Sequence, residues 1–307
     1  MSSTDGSTEL FPVRNPLYLG DYGRALSKGN TITVSNDKRV EQDTLMYRAH
    51  IGLGQYDLVI SAVEDKPSTP MPLQAVRILA QYLKTRDFNA AQDKTQSLLS
   101  QELAKDPTLL VVASTIYMHE GQDQEALKLL YNPSTLEVAS LQVRALLRIN
   151  RTDLAELALK KMTELNDEAT ITKLTNAYVC LAKGGQANIE EARVLFQELS
   201  EKFEDTSVLL NGLALCHMQS GEYEEAEKLL AQALSKSPND PDTLVNMIVV
   251  EQHIQQRGGH AANNASQRKF AQMRALNPHH YWVEDVVKAD REFDELMQKY
   301  TVEKVSE

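Results

Sequence analysis

The residues of this chain that could do chemistry are its seven histidines, its two cysteines and a large set of carboxylates. A metal centre needs several such ligands at matched spacing. The histidines are scattered and no HExxH occurs. The one adjacent pair, His279-His280, follows Pro278 with no third ligand near it, so it is expected to be a plain linker pair. Cys180 and Cys216 form no CxxC and fall at nearly equivalent positions of the first helices of two successive helix pairs. They are expected to be small core residues, not redox groups. Gly52-Leu53-Gly54 has two glycines of a dinucleotide loop, but the third is missing and the segment ends a helix where that loop would open one. Glu222, Glu224, Glu225 and Glu227 start a helix, where carboxylates favour the macrodipole. They lack the alternating oxygen ligands of a calcium loop. Asn150-Arg151-Thr152 and Asn264-Ala265-Ser266 are glycosylation-type triplets that a cytosolic chain leaves unmodified. No nucleophile–base–carboxylate grouping can be argued. The expectation is a chain without catalytic residues, metal or cofactor.

Composition points to what positions these residues. Hydrophobic residues make up 42% of the 307, yet aromatics are only 6% and Ala and Leu dominate. Small and unbranched side chains lose little freedom in helices, and the β-branched runs of a large sheet are missing. The net charge of −11 comes from 43 acidic and 32 basic residues. That balance argues against binding nucleic acid or anionic lipid. The first residues, MSSTDGSTEL, have neither the basic start nor the apolar stretch of a signal peptide. No apolar run approaches the ~18 residues of a membrane span. A cytoplasmic protein is expected, with membrane contact made through partners.

The organising feature is a repeat. From Ser207 to Asp240, small or apolar residues stand at Leu210, Leu213, Ala214, Ala226, Leu230 and Ala233, with Gly221 between two helical halves and Pro238 closing the unit. This is the 34-residue tetratricopeptide pattern, with Leu210 where Trp is preferred. Ala214 and Ala226 let two antiparallel helices approach closely, and Asp240 is placed to cap the next helix. The turn GEYEEA at 221 has relatives GDYGRA at 20, GQYDLV at 54, RDFNAA at 86, GQDQEA at 121, NRTDLA at 150 and ANIEEA at 187. Their spacings are 34, 32, 35, 29, 37 and 34 residues. Seven turns at near-constant spacing predict an all-α solenoid, a right-handed superhelix of helix–turn–helix units that bury their apolar faces on one another.

The irregular steps carry their own expectations. The 29-residue step predicts a second helix cut short near Leu129–Asn132 by Pro133, and the 37-residue step predicts extra residues in the Gly184-Gly185-Gln186 turn. An eighth unit is expected over Asp242–Gln255 and about Asn264–Leu276, joined by a Gly258-Gly259 linker. An amphipathic helix over Trp282–Tyr300, apolar at Val283, Val286, Val287, Phe293, Leu296 and Met297, is expected to cap it. Residues 9–300 form one solenoid in this reading. Residues 1–8 and 301–307 are disordered, and Asn30–Asp37 is a loop with a little strand character.

Several segments are specific beyond the repeat: Glu9–Tyr22 (ELFPVRNPLYLGDY), Leu73–Leu83 (LQAVRILAQYL), Asp167–Gly185 (DEATITKLTNAYVCLAKGG), Leu209–Leu234, Thr243–His253 (TLVNMIVVEQH) and Phe293–Tyr300 (FDELMQKY). In these the chain resembles the epsilon subunit family of coatomer, the COP-I vesicle coat, over nearly all of Glu9–Tyr300. Asn30–Asp37 and Gly258–Asn264 depart from the family pattern. The resemblance implies a coat subunit, peripheral on Golgi and COP-I vesicle membranes, that binds the C-terminal region of the alpha subunit. Retrograde Golgi-to-endoplasmic-reticulum and intra-Golgi transport would be its setting.

In such repeats the first helix of each pair lines the inner surface. The inward candidates for partner binding are Val111, Thr115, Met118 and His119 in the unit starting near Pro107. Counting from Ser207 adds Asn211, Leu215, Met218 and Gln219, and the unit starting at Pro241 adds Val245, Val249 and Gln252. The alternative function is a co-chaperone that captures acidic chaperone tails. Asn211 and Asn246 could mimic two of its amide positions, but the Lys and Arg that clamp a carboxylate are missing from the corresponding inner positions.

Overall fold

The computed structural model describes residues 8–100, 106–258 and 263–299. Among the described residues there are seventeen α-helices and no strand. They pair as α1 (Phe11–Tyr18) with α2 (Tyr22–Thr31), α3 (Arg39–Gly52) with α4 (Tyr56–Ala62), and α5 (Met71–Thr85) with α6 (Phe88–Leu99). Next come α7 (Pro107–His119) with α8 (Asp123–Leu129), α9 (Leu136–Arg148) with α10 (Thr152–Asn166), and α11 (Thr170–Lys183) with α12 (Gln186–Phe203). The last pairs are α13 (Ser207–Gln219) with α14 (Tyr223–Lys236) and α15 (Pro241–Gly258) with α16 (Asn263–Leu276), followed by α17 (Tyr281–Lys299). The chain divides into two compact units, Met1–Gly212 and Leu213–Glu307, with the boundary inside α13.

The seven turns do the same physical job. Gly20, Gly54, Arg86, Gly121, Asn150 and Gly221, each the first residue of its hexamer, take φ between 56° and 76°. The sixth residue of every hexamer is buried: Ala25, Val59, Ala126, Ala155, Ala192 and Ala226 at 0% exposure and Ala91 at 4%. A left-handed residue reverses the chain, and a small one lets the returning helix close on the first. We expect Gly221→Ala to lower the unfolding free energy by about 1–2 kcal/mol, because a Cβ is disfavoured at that φ. Asn150→Gly should be neutral or slightly stabilising by the same logic, and urea titration of the two variants checks the pair.

Two local expectations need correction. In six hairpins the second helix starts three residues before the buried small residue, but α12 starts at Gln186, six before Ala192. The extra residues of the 37-residue step are therefore not in the turn. Gly184 and Gly185 make it, at φ 67° and 81°, and Gln186, Ala187 and Asn188 add almost one turn to the front of α12, where Asn188 Nδ2 donates to the Gly184 carbonyl at 2.6 Å. Asn30–Asp37 holds no strand: α2 runs on to Thr31, and Asn36–Lys38 is a 3-10 turn. Gln42 Nε2 donates to the carbonyls of Gly29 and Ile32 and so ties this loop to α3.

Other expectations hold. The seven-residue α8 stops at Leu129, with Pro133 in the loop that follows, and Leu130 is fully buried. The Asp240 carboxylate accepts from the Thr243 N–H at 3.0 Å, capping α15. The expected disorder over residues 1–7 and 301–307 lies outside the described residues, as do residues 259–262 of the expected linker. Thr8 opens a 3-10 turn, Thr8–Leu10.

Within the first unit, the first hairpin packs far along the chain. Tyr18 packs against a core of Leu136, Val143, Met162, Ile171 and Val179. Arg24 Nη1 donates to the Phe203 carbonyl at 3.1 Å. A Cβ on Gly20 would sit 2.7 Å from Val208 Cγ2, so glycine there allows the close approach as well as the turn. The first hairpin thus lies against the fifth and sixth hairpins and the start of α13. In the second unit, Ala214, Ala226, Leu230, Met247 and Val250 form one core cluster. Leu244, Val245, Met273 and Val283 form the next.

Candidate functional site

The closure of the first unit surrounds a cleft of about 350 Å³. Arg14, Tyr18, Glu41, Thr44, Arg48 and Glu137 line it, with the starts of α5, α7 and α9 at Pro72, Asp106–Thr108 and Thr135. These residues belong to first helices, their N-caps or the segment leading into α3, and no second helix contributes. None of the eleven inward candidates lines the cleft.

Each charged group is held by its element. Arg14 on α1 is 4% exposed and paired with Glu41 on α3. Arg48 on α3 reaches Glu137 in the first turn of α9, with Nη1 at 3.2 Å from Oε2 and Nη2 paired to Oε1. The Tyr18 hydroxyl donates to the same carboxylate at 3.4 Å. Burial disfavours the charge on Arg48, but the attraction and hydrogen bond of Glu137 outweigh it and raise the guanidinium pKa. Asp106 and Thr135 cap α7 and α9 through Leu109 N and Val138 N. The two arginines of the cleft are therefore already paired with its glutamates.

The eleven inward candidates separate by burial. Val111 and Met118 are 6% and 5% exposed and pack with Tyr117, Ala126, Leu130, Val138 and Ala145, filling the space between hairpins. Thr115 is half-buried and its hydroxyl donates to the Val111 carbonyl at 2.7 Å, while His119 is exposed and edge-on to Tyr82 at 6.2 Å. Asn211 is buried and donates to the Ser207 carbonyl at 2.8 Å. In the second unit Leu215, Met218 and Val249 are half-buried, Gln219 and Gln252 are exposed, and Val245 is buried. Met218 packs against the Ala214–Leu230 cluster. Residues with surface to offer are thus Thr115, His119, Leu215, Met218, Gln219, Val249 and Gln252.

Sequence reasoning missed the cleft residues Arg14, Tyr18, Arg48 and Glu137. Their signal was weak, since charges on a first helix read as a solvated face until the first hairpin is known to close on the fifth. Cys180 and Cys216 are both buried. Burial, with Glu191 nearby, pushes the Cys180 thiol up to about 11. Among the described residues no group of three or more His, Cys, Asp or Glu could hold a metal ion. No described helix is long and apolar enough to cross a membrane.

Stacked helical hairpins with left-handed turns and buried small residues define a tetratricopeptide-type protein. Solved structures agree on that fold. A tetratricopeptide repeat protein from Parabacteroides merdae superposes with a TM-score of 0.57 at 16% identity, covering 87% of this chain and 97% of that one. The APC/C hetero-tetramer Cut9–Hcn1 gives 0.57 at 15% identity over 89% of this chain and 53% of that one. Among such proteins, this chain belongs to the coatomer epsilon subunit family, whose model matches residues 6–301. Coatomer subunit epsilon-1 of Arabidopsis thaliana is 37% identical over 306 residues, 98% of this chain and 100% of that protein. Coatomer subunit epsilon of Dictyostelium discoideum is 29% identical over 93% of this chain and 96% of its own.

Proposed function

We propose that this chain is a non-catalytic subunit of the coatomer vesicle coat that binds and stabilises the C-terminal region of the alpha subunit. It acts in the cytoplasm, peripheral to Golgi and COP-I vesicle membranes through the coat, and supports retrograde Golgi-to-endoplasmic-reticulum and intra-Golgi transport. The observation that carries this reading is the family match along residues 6–301. Half-buried apolar and exposed amide side chains on α13 and α15 support a protein-binding face. Residues 9–300 serve as one scaffold in this reading. The co-chaperone alternative gains nothing from the cleft, whose two arginines are engaged with Glu41 and Glu137.

The test is co-purification of the full-length chain with the alpha subunit. Leu215→Glu/Met218→Glu should cut recovery at least tenfold, while helicity by circular dichroism stays near wild type. Because Met218 also packs on the core, Val249→Glu/Gln252→Glu is the second variant and should act in the same direction. Undiminished recovery with both variants overturns the assignment of this face.

A further inference from the structure

The loop that joins the second hairpin to the third, Val63 to Pro70, carries a motif that the scaffold does not use. It contains Pro67-Ser68-Thr69-Pro70, and with Pro72 three prolines fall within six residues. Proline fixes φ and pushes the residue before it towards extended backbone. Pro70 itself stands at φ −53° and ψ 136°, close to a polyproline conformation. A protein kinase takes its substrate in extended form, and a proline after the target residue presents no N–H to be left unpaired. Kinases built for that feature select Ser or Thr before Pro and favour a second proline two residues ahead of the target. Thr69 meets both conditions. The other Ser-Pro or Thr-Pro step in the chain, Ser237-Pro238, has Ser235 in place of the earlier proline. There the Ser237 N–H is also bonded to the Ala233 carbonyl at the end of α14.

The loop presents the motif to solvent. Pro67, Ser68 and Pro70 are exposed and Thr69 is half-buried. Side chains of α5 hold its two ends: Arg77 donates to the carbonyls of Ile60 and Val63, and Gln74 Nε2 to that of Thr69 at 2.6 Å. Between them the Thr69 N–H donates to the Lys66 carbonyl and the Thr69 hydroxyl to the Glu64 carbonyl, both at 3.0 Å. We propose that Thr69 is a phosphorylation site for a proline-directed protein kinase. In that step Thr69 Oγ1 attacks the γ-phosphorus of ATP, the bond to the departing ADP oxygen breaks, and the hydroxyl proton passes to the kinase's catalytic carboxylate. The product carries a charge of about −1.5 to −2 at pH 7, and its ester oxygen has no hydrogen left to donate. The bond to the Glu64 carbonyl is lost, while Lys66, Arg77 and Lys94 are already engaged by Glu64 and Asp65. Phosphorylation therefore loosens this loop, three residues before Pro72 in the lining of the first-unit cleft.

The experiment maps phosphate by mass spectrometry on two samples of the full-length chain. One is purified protein treated with a proline-directed kinase and Mg-ATP, the other is protein isolated from growing cells in the presence of phosphatase inhibitors. Thr69 is expected to carry the phosphate in both. Pro70→Ala, which keeps the Thr69 hydroxyl, should lower incorporation by the kinase at least tenfold with helicity by circular dichroism unchanged, and Ser68→Ala should leave it within twofold. Phosphate mainly on Ser68 or Ser237, undiminished incorporation in Pro70→Ala, or an unmodified Thr69 in either sample overturns the proposal. Hydrogen exchange over residues 64–70 should quicken at least threefold in the phosphorylated chain, and unchanged or slower exchange overturns the loosening. None of these readouts involves the alpha subunit, so they stand apart from the function proposed above.

Discussion

Arg48→Ala is expected to destabilise the first unit by about 2–4 kcal/mol. Removing one partner of a buried ion pair strands the other charge, at a cost of about 3–5 kcal/mol when burial is complete. Here the Arg48 and Glu137 side chains retain 17% and 20% exposure, which places the effect somewhat lower. Glu137 would keep only the 3.4 Å hydrogen bond from Tyr18. The double variant Arg48→Met/Glu137→Leu removes both charges and should recover most of the loss. Guanidinium unfolding of the full-length chain reads all three variants. A double variant no better than Arg48→Ala would mean that the pair does not hold α3 and α9 together.

Phe196→Ala should cost about 3–5 kcal/mol, since its ring is fully buried and the void would refill only partly. The same ring explains Gly212: a Cβ there would lie 2.4 Å from Phe196 Cε1. Gly212→Ala alone should cost about 1–3 kcal/mol by overpacking. Tyr178, edge-on to Phe196 at 5.8 Å, blocks an easy retreat of the ring. Gly212→Ala/Phe196→Leu should cost less than the two single changes summed, because the smaller side chain makes room for the methyl. Additivity within ~0.5 kcal/mol would show that the two sites do not touch in solution.

The repeat was legible because it is written in local chemistry. Left-handed turn residues and buried alanines must recur wherever two helices close, so the hexamers located seven hairpins. The eighth hairpin, α15 with α16, and α17 followed from apolar periodicity. The three residues added to α12 were misplaced because Gln186-Ala187-Asn188 suits a turn or a helix, and only the Asn188 bond to the Gly184 carbonyl decides. Strand character at Asn30–Asp37 rested on Thr31, Ile32, Thr33 and Val34, yet among the described residues there is no strand for them to pair with. The cleft was illegible for a different reason. Arg48 and Glu137 are 89 positions apart, and nothing local states that they meet. Inward counting from the repeat frame also chose Val111 and Met118, whose burial between hairpins depends on how α9 leans on α7.

Order of synthesis gives the closure of the first unit a further meaning. In a simple repeat array each hairpin leans only on its neighbours, so a growing chain can stabilise itself as it emerges. Here Arg24 waits for a carbonyl 179 positions later, and Gly20 waits for Val208. The first hairpin to leave the ribosome is thus among the last to be completed. Tyr18 can seat on the Leu136–Val179 core earlier, but until Val208 has been translated the nascent chain carries an unfinished edge at Gly20. Truncations that end before residue 208 share that state permanently: they retain every residue of the first hairpin and lose the Val208 side chain that closes over Gly20.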